Sequence, residues 1–236
     1  MGRKRFSEGL AFVASYTWSH AMSNGRGFSS DSGQTAEQSA YWADPRNPDA
    51  EWGPTPFDVR HALSIGALSE LPWGRRRRFL SGAPRWVDAI AGGWAVAGIL
   101  KAHTGFAITI TAPDQSQTGA RTGRPDRIGS GRGSEQVGPD GTWFDTSAFV
   151  LPAIGTFGNA GVGIVRGLGL RVLDLMTAKR VGMVHGSALE LRAEFFNFFN
   201  TPVFTAPDRF LTSATFGQVR GSQLEREIQL GLKLLF

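Results

Sequence analysis

The sequence predicts an all-β fold, an antiparallel transmembrane β-barrel, and three observations lead to it. Residues 226–236 alternate apolar and polar side chains and end on an aromatic residue. Several other segments repeat this alternation, which places residues i and i+2 on one face of a strand. The 236 residues include 31 glycines, 12 prolines and 17 phenylalanines. That composition favours many strands joined by long loops over a helical bundle.

The C-terminal strand has the clearest pattern. Its apolar face is formed by Ile228, Leu230, Leu232, Leu234 and Phe236. Its other face is formed by Glu227, Gln229, Gly231, Lys233 and Leu235. Bacterial outer-membrane barrels commonly end on such a strand, so the sequence predicts an outer-membrane location. The apolar set is then the predicted signal that the outer-membrane assembly machinery binds as an added strand.

The composition argues against several other classes of protein. No run of about 18 apolar residues occurs, so no transmembrane helix is predicted, whereas a spanning strand needs only about 9 to 11 residues. Zero cysteines exclude disulfides and thiolate chemistry, and slightly favour an oxidising compartment. The formal charge is +5, but the basic residues are dispersed apart from residues 75–78, RRRR. We interpret that run as a solvated turn, and we predict no nucleic-acid partner.

Five further strands are predicted before the C-terminal one, which gives about six in all. They cover residues 10–20, 58–71, 93–111, 171–180 and 188–199. The N-terminal residues place basic side chains before an apolar stretch, but that stretch alternates, so we interpret it as a strand and not as a signal peptide. Gly105 is predicted to bend the third strand.

Long polar connections follow the odd-numbered predicted strands, and shorter connections follow the even-numbered ones. Segments rich in Gly, Ser and Asp cover residues 21–56, 113–170 and 200–225. This alternation is typical of outer-membrane barrels, which have long external loops and short periplasmic turns.

The alternation also predicts which side chains contact lipid. In the first strand the lipid-facing set is Leu10, Phe12, Ala14, Tyr16 and Trp18. In the strand at 188–199, charged residues alternate with apolar ones, and charges at alternate positions require a face that water reaches. The predicted lumen-facing residues are Glu190, Arg192, Glu194 and Lys233.

Aromatic residues fall at both predicted ends of the strands, as in the two girdles of membrane barrels. The external set is Trp18, Phe57, Phe198 and Phe199. The periplasmic set is Trp73, Trp94 and Phe236.

No arrangement of residues indicates catalysis or metal binding. The four histidines, His20, His61, His103 and His185, are scattered without a second ligand at metal spacing. Oxygen ligands for calcium could come from Asp44, Asn47, Asp49 and Glu51, but the spacing of an EF-hand is absent. Neither Gly-x-Ser-x-Gly nor His-Glu-x-x-His occurs. The sequence therefore predicts no enzyme, no catalytic residue, no metal site and no cofactor.

Five segments carry a resemblance to a known family. They are FDVRHALSIGALSELPWG at 57–74, GWAVAGI at 93–99, GTFGNAG at 155–161, LRAEFFNFFNTPVF at 191–204, and the terminal IQLGLKLLF. Together they resemble the C-terminal β-barrel of TonB-dependent outer-membrane receptors, specifically the Oar-like group. The resemblance implies a barrel wall and surface loops for substrate uptake, energised from the inner membrane through TonB.

Such receptors resemble 22-stranded barrels that are filled by a plug. About six strands, with no recognisable plug, TonB box or signal peptide, predict that residues 1–236 are the C-terminal segment of a larger barrel. The implied partners are outer-membrane lipid, the remaining strands and plug, the assembly machinery, and TonB through the missing N-terminal part. Two alternatives stay open: a soluble basic β-sandwich that binds carbohydrate or nucleic acid, and a passive porin or adhesin of the same architecture.

Deletion of Phe236 from the full-length outer-membrane protein should impair assembly more than folding. One aromatic side chain contributes only about 1.5 to 3 kcal/mol even when fully buried, while strand addition draws its specificity from alternate side chains. Heat-modifiable gel mobility of outer-membrane fractions measures the outcome. Normal surface levels of the deletion would show that Phe236 is only a strand end.

Overall fold

The fold is one seven-stranded antiparallel sheet in which each strand pairs with its neighbours in the chain. The computed structural model describes residues 1–7, 9–24, 42–75, 77–120, 123–133, 135–138, 140–183 and 187–236. The strands are β1 (Gly2–Ser7), β2 (Leu10–Trp18), β3 (His61–Glu70), β4 (Trp94–His103), β5 (Leu170–Gly182), β6 (Ala188–Phe196) and β7 (Glu227–Leu235). This single-layer, up-and-down order is the order of strands in a barrel wall, and it agrees with the predicted all-β, antiparallel fold.

All six predicted strands are present, and their ends differ from the prediction by a few residues. β4 stops at His103, well before the predicted end at residue 111, because the chain turns at Gly105. A Cβ atom on Gly105 would lie 1.8 Å from the carbonyl oxygen of Gly167, so only glycine allows the two backbones to cross there. β6 stops at Phe196 because Asn197 has a positive φ of 49°.

The prediction of about six strands was one short. Gly2–Ser7 pairs with β2 in a register that joins Gly2 to Ala14 and Lys4 to Phe12. Its sequence, GRKRFS, carries three basic residues and almost no alternation, so period-two patterning could not identify it.

Shorter elements lie in the connections. A seven-residue helix, α1 (Arg85–Ala91), precedes β4, and 3-10 turns occur at Pro48–Glu51 and Thr146–Ala148. Two-residue strands pair Met22–Ser23 with Gly53–Pro54, Ala107–Ile108 with Val165–Arg166, Asp126–Arg127 with Phe149–Val150, and Val203–Phe204 with Ser222–Gln223. None of the described helical segments has the length and hydropathy needed to cross a bilayer.

The register gives the sheet one apolar face, as the sequence predicted. Directly paired residues of antiparallel strands share a face. Leu191 pairs with Leu232, and Leu173 pairs with Leu100, which in turn pairs with Ile65. The apolar face therefore continues across the pairs that join β2 to β7, with polar residues such as Ser69 and Lys179 towards its ends. The predicted lipid-facing side chains of β2, from Leu10 to Trp18, lie on it.

The connections alternate between the two ends of the sheet. Residues 19–60, 104–169 and 197–226 link β2 to β3, β4 to β5 and β6 to β7, so all three lie at one end. The shorter connections, including residues 71–93, lie at the other end. The predicted aromatic sets follow the same division: Trp18 closes β2 at the first end, and Trp94 opens β4 at the second.

The deepest core of the protein lies outside the wall. Among the described side chains of the seven strands, only Val172, Lys179 and Ala188 are buried, and β7 is exposed along nearly its whole length. The fully buried apolar residues, such as Ile110 and Phe144, belong to the long connections. A single-layer sheet, with no second layer packed across either face in the described part of the chain, has no interior in which to bury side chains.

The two faces of β6 should respond differently to substitution. In the full-length protein, Leu191→Arg should lower the free energy of unfolding by about 2 to 4 kcal/mol near the bilayer midplane. Arg192→Leu should cost less, because it removes only half-exposed ion pairs, which are worth about 0 to 1 kcal/mol. Unfolding titrations in lipid vesicles measure both variants. Equal losses would mean that the faces are assigned the wrong way round.

Candidate functional site

The three long connections form one packed unit at the end of the wall, here called the loop body: the described parts of residues 19–60, 104–169 and 197–226. Backbone hydrogen bonds join separate connections. The amide of Thr111 donates to the carbonyl of Arg209 at 3.0 Å, and that of Leu211 donates back to Thr111 at 2.9 Å. Trp143 donates to Gly217 at 2.8 Å. The loop body is thus a small structure with its own hydrogen-bond network.

Apolar side chains from two of these connections make the core of the loop body. The buried cluster contains Ile108, Ile110, Phe144, Ala148, Phe149 and Val165, with Trp143, Ile164, Ala206, Leu211 and Phe216 packed against it. The ring of Phe144 meets Phe149 and Phe216 edge to face, with centroids 5.9 and 5.2 Å apart. Such pairs add about 0.5 to 1.5 kcal/mol beyond the burial of their area. The sequence indicated irregular polar loops here, so this core was not foreseen.

Asp58 is the main ionic link between the first two connections. Its carboxylate is fully buried and forms an ion pair and hydrogen bond with Arg166, which lies 108 positions later in the chain. Arg166 also donates to the carbonyl oxygen of Asp58 at 2.9 Å. On the other side, the backbone amide of Ala21 donates to Oδ1 at 2.6 Å. One buried carboxylate therefore fixes both ends of residues 19–60 against the second connection.

His20 and Arg60 complete the surroundings of Asp58. Arg60 Nη2 lies 3.2 Å from Nε2 of His20, and His20 Nδ1 lies 3.3 Å from the carboxylate. Because arginine can only donate, Nε2 is the acceptor, so the hydrogen of a neutral ring is on Nδ1 and points at Asp58. Arg60 Nε is itself 3.4 Å from Oδ2.

The charge state of Asp58 follows from these contacts. Burial acts to raise the pKa of the Asp58 carboxyl, but hydrogen bonds from Arg166, Ala21 and His20, with the positive charge of Arg166, outweigh it and lower the pKa below 3.8. The carboxylate is therefore ionised at neutral pH, and it serves as a structural anion and not as a proton donor.

A second buried carboxylate links the same two connections. Glu51 is fully buried, with Oε1 3.3 Å from Nη2 of Arg124 and accepting the amide of Ala43 at 2.9 Å. Arg124 also donates to the carbonyl of Ala50 at 2.7 Å. Glu51 is directed at Arg124, while Asp44 accepts from the amide and side chain of Arg46. The structure therefore does not bring the candidate calcium ligands together.

Asp208 stabilises a turn within the third connection. Its carboxylate accepts from Thr215 Oγ1 at 2.6 Å and from the amide of Phe210 at 3.0 Å. Burial acts to raise the pKa of Asp208, but hydrogen bonds from Ser213, Thr215 and Phe210 and the charge of Arg209 lower it overall.

Asn197 holds together the two ends of residues 197–226. Its side-chain amide donates to the carbonyls of Thr201 and Leu224 at 2.9 and 2.7 Å, and its Oδ1 accepts the amide of Thr201 at 3.0 Å. Its own amide donates to Asp174 in β5 at 2.9 Å. Asparagine tolerates the positive φ observed here. The motif LRAEFFNFFNTPVF therefore encodes a strand followed by a loop closure, although its resemblance alone did not indicate that role.

A cleft of about 620 Å³ separates the loop body from the end of the sheet. Tyr16, His61 and Leu63 line one wall, and Trp143 and Arg166 line the other. Tyr16 Oη lies 2.7 Å from His61 Nδ1. Tyr16, His61 and Leu63 lie on the apolar face of the sheet, while His103, which also lines the cleft, lies on the other face, so the cleft lies at the rim between the two faces.

The predicted lumen-facing residues do share one face. Glu190 pairs in register with Lys233, and Arg192 forms ion pairs with Glu190 at 3.3 Å and Glu194 at 3.4 Å. This face lies opposite Leu191 and Leu232, and its side chains are partly exposed. The result is a ladder of alternating charges on the polar side of β6 and β7. That this side lines a lumen stays a prediction.

The predicted assembly residues lie on the other face of β7. Ile228, Leu230, Leu232, Leu234 and Phe236 are all exposed, with Phe236 fully so. β7 is an edge strand, so one row of its backbone groups is also unpaired within the sheet.

The described histidines make different polar contacts. His20 contacts Asp58, His61 contacts Tyr16, and His103 Nδ1 lies 2.9 Å from the carbonyl of Thr104. His185 lies outside the described residues.

Comparison with protein families supplies the deciding observation: residues 1–229 match the model of the outer membrane beta barrel domain. The chain belongs to this family. The match covers β1 to β6 and the first residues of β7. Neither the curated proteins nor the solved structures give a match.

Membership in the outer membrane beta barrel domain family confirms two predictions. The first is the barrel fold, which the single-layer sheet also supports against a two-layered soluble sandwich. The second is the bacterial outer membrane as the location of this barrel domain.

Replacement of Asp58 by asparagine should loosen the loop body while leaving the wall paired. The substitution removes the anion that the partly exposed Arg166 and Arg60 share, and it should cost about 1 to 3 kcal/mol because water compensates part of the lost charge. Hydrogen exchange of amides in residues 104–169 measures the loss, and the exposed Asp140→Asn is the matched control. Equal protection in both variants would show that Asp58 does not hold the connections together.

The same link predicts a pH dependence. Because the folded-state pKa of Asp58 is lowered, its stabilisation is fully present above 3.8 and is lost as the pH falls through the folded-state value. Protection of loop-body amides in the parent should therefore fall on acidification below 3.8. The Asp58→Asn variant should lack this part of the pH profile.

Proposed function

We propose that this barrel domain is the wall and loop body of a TonB-dependent outer-membrane transporter of the Oar-like group, which takes up a substrate into the periplasm. The observation that carries the proposal is where the resembling segments fall. FDVRH contains Asp58 and Arg60, and LRAEFFNFFNTPVF contains Asn197 and residues 191–196 of β6. These segments join the wall to the loop body, where a receptor must combine a fixed barrel with shaped external loops.

The charged ladder supports passage of a polar substrate on the side away from lipid. Glu190, Arg192, Glu194 and Lys233 alternate in sign, and Arg192 is held by two carboxylates. A lumen lined in this way provides hydrogen-bond partners for a hydrated solute without a strong net field. No peptide, saccharide or metal chelate is favoured by these residues over the others.

The loop body supports recognition at the outer surface. Two buried carboxylate–arginine links and an aromatic core hold the described parts of the long connections in one arrangement. Pre-ordered loops lose less conformational entropy when they bind a ligand. The orientation that follows has the loop body outside the cell and residues 71–93 at the periplasmic surface.

The open edges of the sheet support a larger barrel. β1 and β7 each lack a partner on one side within the described sheet, and seven strands are fewer than the smallest membrane barrels contain. We propose that further strands and a plug complete the wall, and that TonB acts on that plug. Outer-membrane lipid and the assembly machinery are the other proposed partners. We propose no enzymatic activity.

An uptake experiment tests the transport function. Depletion of compounds from the growth medium is measured for the parent bacterium, for a strain with this gene disrupted, and for a strain without TonB. The compound left unused by the disrupted strain should also be left by the strain without TonB. Uptake that depends on the gene and not on TonB would assign a passive porin instead.

Variants of the charged ladder test whether the substrate passes along this face of the wall. With the depleted compound in hand, Glu190→Gln with Glu194→Gln should change uptake on the order of tenfold, upward for an anionic compound and downward for a cationic one. The double substitution leaves Arg192 and Lys233 as an unbalanced positive surface, and charge of one sign lining a passage changes the local concentration of charged solutes by that order. The matched control is Glu225→Gln, an exposed carboxylate before β7. Unchanged uptake at equal surface levels would place the substrate path elsewhere.

A further inference from the structure

The connection between β3 and β4 is a structured element of the wall and not a loose turn. We call the described parts of residues 71–93 the basic turn. Asp88 organises it: its Oδ1 accepts the amide of Arg75 at 2.6 Å, and its carbonyl accepts the amide of Gly92 at 2.8 Å. Gly74 has a φ of 121°, and a Cβ atom there would lie 2.7 Å from the Asp88 carboxylate.

The basic turn is fixed to the apolar side of the sheet. Lys179 pairs with Trp94 and with Leu191, so it lies on the lipid-facing side of β5. Its Nζ donates to the carbonyls of Ile90 and Gly92 at 3.0 and 2.6 Å and lies 5.1 Å from the centre of the Trp94 ring. Trp94 Nε1 also donates to Ile90 at 2.9 Å. Helix α1 therefore covers a buried cation at the boundary of the lipid-facing surface.

Apolar side chains project from the basic turn without protein partners to cover them. Trp86 and Ile90 lie four residues apart on one side of α1 and are 68% and 66% exposed. Trp73, Phe79 and Leu80 are between 44% and 50% exposed. Tryptophan at such a place is typical of the boundary between lipid and water. These side chains fit the headgroup region of a bilayer.

Positive charge surrounds these apolar residues. Arg75, Arg77, Arg85, Lys179 and Arg180 line a cleft of about 350 Å³ at this end of the wall. Arg78 is exposed beside them and lies over the ring of Phe79 at 5.6 Å. The carboxylates near this group, among the described residues, are Asp88 in the cleft, Glu70, which pairs with Arg77 at 2.9 Å, and Glu190, which is the register partner of Arg180. Cations therefore clearly outnumber anions.

We propose that the basic turn binds the phosphate of an anionic phospholipid in the leaflet at the turn end of the wall, with Trp86 and Ile90 inserted at headgroup depth. Arginine forms paired hydrogen bonds with phosphate oxygens, and a cluster of basic residues beside a membrane surface attracts anionic lipid. The proposal requires the barrel location that family membership shows, and it does not depend on transport. The arginine run, which the sequence indicated was a solvated turn, then has a ligand.

Lipid titration followed by native mass spectrometry tests whether the arginines of the basic turn bind anionic phospholipid. The whole outer-membrane protein that carries this chain is held in detergent and titrated with phosphatidylglycerol or phosphatidylcholine. Phosphatidylglycerol should bind more tightly. The variant Arg75→Gln, Arg78→Gln, Arg85→Gln should bind it on the order of 100-fold more weakly, at about fivefold per arginine. Replacement of the same three residues by lysine should retain most of the binding.

A matched control removes the same charge from the opposite end of the wall: Arg132→Gln, Arg220→Gln, Arg226→Gln, all exposed residues. This control should bind phosphatidylglycerol like the parent. An equal loss in the control, or full binding by the first variant, would overturn the proposal. Inorganic phosphate should not displace the lipid, and displacement would assign the site to a free anion instead.

Quenching of tryptophan fluorescence tests the depth of α1. Phosphatidylglycerol brominated on its acyl chains, in vesicles that contain the folded protein, quenches only nearby rings. Trp86→Phe should remove part of the quenching, while Trp52→Phe, which replaces an exposed ring in the loop body, should leave it unchanged. Quenching that is unaffected by Trp86→Phe would show that α1 does not enter the lipid.

Discussion

A sheet that faces lipid on one side and water on the other cannot bury side chains within itself, and this constraint determines where everything else in the protein lies. The wall depends on main-chain hydrogen bonds between neighbouring strands and on the alternation of its side chains. Apolar residues on the lipid side are removed from water by contact with the bilayer and not by packing in a core. The hydrophobic core that a chain of this length can form is therefore found in the long connections, around Ile110 and Phe144.

The loop body and the wall use charge in different ways. In the loop body, Asp58 and Glu51 are buried, and each requires arginine close by because an isolated buried carboxylate is costly. On the wall, Arg192 and its two glutamates stay partly exposed, so water compensates them and their pairing adds little stability. An ion pair in this protein therefore stabilises the fold according to how deeply it is buried. The exposed pairs on the wall mainly determine how charge is distributed over that surface.

Sequence patterning predicted the wall well because period-two alternation is a local signal. It located six strands and both faces, and it placed Glu190, Arg192, Glu194 and Lys233 on one of them. It missed β1, whose basic residues hide any alternation, and α1, which is too short for a helical period. It also missed the link from Asp58 to Arg166, since no local pattern reports a contact across 108 positions. The core of the loop body was not predicted for the same reason, because its apolar residues are dispersed among glycines and polar side chains and form no local pattern.

Asn197 lies at the boundary between the paired strands β6 and β7 and the connection that joins them. By binding Thr201 and Leu224, it closes residues 197–226 at their base, so the register of β6 and β7 does not rely on what lies between. Such a closure separates two kinds of damage: a change between the closed ends would break contacts within the loop body, such as that of Thr111 with Arg209, while the strands of the wall keep their pairing. Loosening of the loop body and separation of the strands are therefore distinct events in the unfolding of this protein.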